Sequence, residues 1–159
     1  MSDKPKVEII QPPQQLRDRV ALRDKDDVDF SDADAAVNRL AVEFVARLPE
    51  ELGEIENALT AMEVAPGETA PRLALFRLVH DLKGQAGTFD YLLITVIGND
   101  LCRFLERPIP MSPRCLKVVH FHVDAMKQVA EKKITGDGEG HGLRMVNTLH
   151  SMTQKVLQE

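Results

Sequence analysis

Within the stretch RLVHDLKGQAGTFDYL, residues 77–92, His80 is followed three positions later by Lys83 and then by Gly84, with Gly87 three residues further on. A neutral imidazole is a nucleophile, and a lysine one helical turn away can neutralise negative charge on a group arriving at it. These residues therefore suit chemistry on an anion. The glycines need a reason of their own, because each costs about 1 kcal/mol relative to alanine in a helix interior.

Placing residues 72–89 at 100° per step gathers Leu75, Leu78, Val79, Leu82, Ala86 and Phe89 on one side, which is the expected core face. His80 points away from that cluster. Phe76, Lys83, Gly84 and Gly87 lie within about 60° of the histidine direction, with Arg72 and Arg77 at the edges and Asp81 as the nearby acid. No helix is expected to pack closely on this side, so both glycines read as a stripped surface that lets a partner reach the imidazole. Phe76, one turn before His80, reads as an exposed apolar docking contact.

The surrounding chain must supply a scaffold for that helix. Val37, Leu40, Phe44, Leu48, Leu52, Ile55 and Leu59 recur at three- and four-residue spacing from Ser31 onward, with Pro49 expected to kink or divide the run. A loop, EVAPGETAP, precedes the second helix at about 71–89. Leu93, Ile97, Leu101 and Leu105 give a third helix, for which Asp90 is the expected cap. A fourth is expected from about Pro113 to Lys133. The last covers 142–158, with Leu143, Val146, Leu149, Met152 and Val156 inward. The expected fold is all-α: an antiparallel four-helix-bundle core with an additional helical segment. Residues 1–29, which mix charge with QPPQQ, are expected to be a flexible polar arm, and 30–159 the bundle domain.

Composition narrows the function classes. A net charge of −5 argues against nucleic-acid binding. No run of eighteen apolar residues exists to span a membrane, and MSDKPKVEII lacks a signal peptide's apolar core, so a cytoplasmic location is expected. Cys102 and Cys115 fit reduced thiols. His120 and His122 lie about 200° apart on a helix and cannot chelate one ion from one face. GDGEGHG at 136–142 lacks both a Walker lysine and EF-hand ligand order, so it reads as a turn. No metal site is expected.

With these residues in view, the segment resembles the histidine-containing phosphotransfer (HPt) domain of two-component phosphorelays, marked by His-x-x-Lys-Gly on an exposed helix of a four-helix bundle. The match rests on His80, Lys83 and Gly84, with Leu82 and Gly87 in support and the apolar spacing of about 32–106 similar to the family's first three helices. The resemblance implies that His80 accepts a phosphoryl group from an aspartyl phosphate on a receiver domain and passes it to another. Lys83 would hold the phosphoryl oxygens, and Gly84 would leave room for them. Phe76, Arg72 and Arg77 would contribute to receiver docking. Its partners would be receiver domains of hybrid histidine kinases and response regulators. The receiver would bring the Mg ion, so the chain needs no cofactor or ATP site and acts as a stoichiometric carrier rather than an enzyme. The sequence departs from the family at Asp90, where a glycine is common ten residues after the histidine, and its C-terminal helices match only in being helical. A second reading, a helical module that docks on kinases or receivers without carrying phosphate, remains open.

Overall fold

The structure, a computed structural model, describes residues 31–158. The expected flexible arm, residues 1–29, lies outside the described residues. Five helices follow in order among the described residues: α1 (Ser31–Val64), α2 (Thr69–Thr88), α3 (Leu92–Leu105), α4 (Pro113–Glu131) and α5 (Glu139–Leu157). The chain falls into two compact units, residues 1–36 and 37–159. Of the first, only the opening turns of α1 are described. All that follows concerns the second, which is an all-α bundle.

The core is aliphatic, as a chain with so few aromatics requires. Phe44, Leu48, Leu52, Ile55, Leu59 and Met62 of α1 are buried with Leu75, Val79, Leu82 and Ala86 of α2. From α3 come Ile94, Ile97, Leu101 and Phe104, and from α4 Val119, Val123, Met126 and Val129. One aromatic cluster ties α1 to the turn after α2. Phe44 stacks on Phe89 with centroids 4.9 Å apart and meets Tyr91 edge-on at 5.8 Å.

Three expectations about the scaffold are corrected. Pro49 does not divide α1, which runs unbroken through it. The proline is exposed while Leu48 and Leu52 are buried beside it, so core packing keeps the chain helical on both sides despite the missing N–H. Val37 and Leu40, placed in the core by their spacing, are 55% and 53% exposed, and the buried stripe starts at Phe44. On α5 Leu143 is 62% exposed. The face turned inward instead carries Gly142, Leu149 and Thr153. Gly142 leaves no room for a side chain: a Cβ would run into the Asp137 carbonyl oxygen and lie 2.9 Å from both Leu93 methyls of α3.

Asp90 does not cap α3. Tyr91 occupies that position without a side-chain cap bond, and Asp90 adopts the left-handed region at φ 63°. Its carbonyl accepts from Gly136 N–H at 2.7 Å, joining the turn after α2 to the turn before α5. The resemblance expects glycine at this position, and the backbone shows why: left-handed φ is cheap for glycine and tolerable for aspartate. Asp90→Gly is expected to raise stability by about 0.5 kcal/mol, read as a rise in the thermal midpoint. A fall would mean that the aspartate side chain contributes more than the strain it carries.

Candidate functional site

α2 positions the candidate residues because its apolar stripe leaves it no rotational choice. With Leu75, Val79, Leu82 and Ala86 buried, the opposite edge must face solvent. His80 lies there with 56% of its side chain exposed. Its ring stacks on Phe76 at a centroid distance of 5.8 Å and an interplanar angle of 29°. Asp81 Oδ1 stands 3.7 Å from Nδ1, too far for a hydrogen bond. Nε2 has no hydrogen-bond partner among the described residues.

The two glycines separate into different roles. A Cβ on Gly84 would meet nothing within 4 Å, so the helix surface one turn beyond His80 is bare. A Cβ on Gly87 would come within 3.1 Å of Thr95 Oγ1 of α3. That corrects the expectation that no helix packs on this side: α3 does, with Thr95 set against Gly87. Thr95 also donates from Oγ1 to the Lys83 carbonyl at 2.9 Å.

Lys83 is half-buried, and its ammonium donates to Asn99 Oδ1 at 2.7 Å. Its stem runs over Gly98, where a Cβ would sit 2.8 Å from Lys83 Cβ. Thr95, Gly98 and Asn99 were missed from sequence. They share one face of α3 at i, i+3 and i+4, but that face becomes significant only when the pairing of α3 with α2 is known.

Of the three residues expected at the docking edge, Arg77 is exposed, Phe76 is half-buried against the core rather than exposed, and Arg72 is not available. The Arg72 guanidinium is turned onto its own chain. Nε donates to Leu105 O at 2.6 Å, Nη1 to Ile109 O at 3.0 Å, and Nη2 to Arg107 O. It closes the end of α3 and fastens the irregular RPIPMSP connection. Five donors in a rigid fork match three divergent carbonyls better than any other side chain would. Desolvation there lowers its pKa.

The Hpt domain family model matches residues 39–132, more than half of the chain. The chain belongs to the Hpt domain family. No curated protein and no solved structure matched it. The match takes in α2 and also α4, so of the two C-terminal helices it leaves only α5 beyond its limit. Membership places the Hpt chain in phosphorelay signalling, where Hpt domains work with receiver domains of two-component systems as phosphocarriers without an ATP site of their own.

Three further histidines of this Hpt domain make contacts between its helices. His120 pairs with Glu63 of α1 at 2.5 Å, while His122, fully buried, turns the other way. His122 Nδ1 contacts Val118 O at 2.8 Å and Nε2 contacts Asp100 Oδ2 at 3.3 Å. Both partners are acceptors, a backbone carbonyl on one side of the ring and a carboxylate on the other. His150 of α5 reaches the other oxygen of Asp100 at 3.4 Å, so one carboxylate joins α3, α4 and α5. The His122 contact, outweighing desolvation, lowers the Asp100 carboxyl below its ordinary range. A carboxyl depressed in the folded state stabilises above its unfolded pKa of about 3.9 and stops doing so as pH falls through the folded value. Asp100→Asn is therefore expected to cost about 1–2 kcal/mol at pH 7, with the gap to wild type narrowing below about pH 4 in denaturation measured across pH. A constant gap would place the cost in packing rather than charge.

Cys102 is buried, and burial raises its thiol to about 11, which makes it a poor nucleophile. Cys115 is buried as well and bonded to Ser112, the N-cap of α4. Among the described residues no three potential ligands gather as a metal site, and no helix is long and apolar enough to cross a membrane.

Proposed function

We propose that this Hpt domain is a stoichiometric histidine phosphocarrier whose acceptor is His80. One observation carries the reading: α2 presents an exposed imidazole with Lys83 held one turn away and an open backbone at Gly84 beside it. The lone pair of a neutral ring nitrogen attacks the phosphorus of a receiver's aspartyl phosphate. The P–O bond breaks with its electrons going to the receiver carboxylate, and the other ring nitrogen keeps its proton. Transfer to the next receiver reverses these events. Such a reaction needs in-line placement and charge neutralisation more than covalent machinery. Lys83 supplies a cation at the developing charge, and the receiver supplies the divalent metal ion and the acidic pocket.

Docking in this reading uses the apolar surface that flanks the histidine. Phe76 stacks on His80, Leu73 is 42% exposed one turn earlier, and Val96 on α3 is 43% exposed one turn from Asn99. Arg77 adds a cation at the edge, whereas Arg72 does not take part.

The test mixes the purified chain with a panel of phosphorylated receiver domains and looks for acid-labile, base-stable label on it. Receivers of both hybrid kinases and response regulators belong in the panel. Binding without label from any receiver would overturn the carrier reading in favour of a docking module. Gly84→Gln refines the result: restoring a side chain is expected to stabilise α2 by up to about 1 kcal/mol yet slow transfer at least tenfold. A rate equal to wild type would show that nothing approaches the backbone there.

A further inference from the structure

A lysine is a poor positioning group when left alone, because its charge ends four flexible methylenes. Lys83 is not left alone. Its stem crosses Gly98, where a Cβ would lie 2.8 Å from Lys83 Cβ and 3.8 Å from its Cδ. Its ammonium then ends on Asn99 Oδ1 at 2.7 Å. Thr95 grips the same residue's backbone carbonyl at 2.9 Å. An ammonium only donates, so Asn99 turns its oxygen towards Lys83. The amide is exposed on α3, and no other hydrogen bond of its side chain is formed among the described residues.

We infer that Asn99 is a positioning residue for phosphoryl transfer at His80, acting by holding the Lys83 ammonium beside the imidazole before a receiver arrives. The inference rests on the phosphocarrier reading of His80. Residues three apart on a helix are neighbours, so an ammonium confined to the α3 side of Lys83 stays within reach of a group on the histidine. Confining it in advance removes rotamer freedom that the transition state would otherwise have to freeze. The acceptor lies on a different helix from the histidine, so the α2–α3 pairing sets where the positive charge stands. Because Asn99 works through Lys83, its contribution must disappear when the lysine is gone.

The experiment is a double-mutant cycle on single-turnover transfer from a phosphorylated receiver, using wild type, Asn99→Leu, Lys83→Ala and the double variant. Leucine keeps much of the amide's volume without its acceptor. Thermal melts of all four confirm that each remains folded, as an exposed helical position leads one to expect. Asn99→Leu should slow transfer by about 5- to 30-fold with receiver binding unchanged. In the Lys83→Ala background the same substitution should change the rate by less than about twofold. Equal losses in both backgrounds would overturn the inference, since Asn99 would then act on the phosphoryl group or the receiver directly. A labelled wild type with an indifferent Asn99→Leu would overturn it alone. A wild type that takes no label at His80 would overturn the phosphocarrier reading and this inference with it.

Discussion

His80→Gln is expected to take no acid-labile label from any receiver, a loss of at least about 1,000-fold, while its helicity and thermal midpoint stay at wild-type values. Glutamine fills similar space and can hydrogen-bond, but its amide nitrogen has no available lone pair with which to form a phosphoramidate at neutral pH. The fold should not register the change, because the side chain is more than half exposed, with the Phe76 ring and the Asp81 carboxylate beside it. Surface substitutions of this kind fall within about 0.5 kcal/mol of neutral. Two measurements on one sample decide it: label retained after acid-sensitivity controls, and a melt followed by circular dichroism. Label that survives in the variant would move the acceptor to another histidine. His122 is an unsuitable substitute because it is fully buried, which leaves His120, His141 and His150 to be tested in turn.

Arg72→Met is expected to show the opposite pattern, a large loss of stability with transfer intact. Methionine retains much of the stem's apolar contact but abandons the carbonyls of Leu105, Arg107 and Ile109. Leu105 is the last residue of α3, so its carbonyl has no partner further along the helix. Hydrogen bonds from a charged donor contribute about 1.5–3 kcal/mol each, and partly exposed carbonyls recover some of that from water. A net loss of about 3 kcal/mol follows, or roughly 6–12 °C in the midpoint for a chain of this size. Below that temperature the rate of His80 labelling should match wild type. A variant that melts normally but transfers slowly would return Arg72 to the docking surface.

The helical architecture was legible in the sequence because helical period, breaks and loops agree with one another along most of the chain. The long α1 stripe shows both the reach and the limit of such reading. Spacing alone extends it back to Val37, but burial depends on whether another helix lies opposite, and among the described residues none covers Val37 or Leu40. The orientation of His80 was legible for a different reason: four buried residues on α2 fix its rotation, and the histidine lies opposite them. What the wheel could not give was the identity of neighbouring helices. Gly87 looked like a cleared approach and is a contact with Thr95. Arg72 looked like a cation at the site and is turned towards carbonyls more than thirty residues away in sequence. Asn99 carries no signal at all until α3 is laid beside α2.

The link between Asp90 and Gly136, the seat of Leu93 on Gly142 and the shared carboxylate of Asp100 all join α5 and the turn before it to the helices that the family match covers. The family match ends at Lys132, yet the compact unit continues to Glu159. Anyone excising the signalling module along the family boundary would cut through a packed seam and uncover Leu93 and the buried imidazole of His122. A graft into another relay should therefore begin no later than Val37 and carry α5 with it.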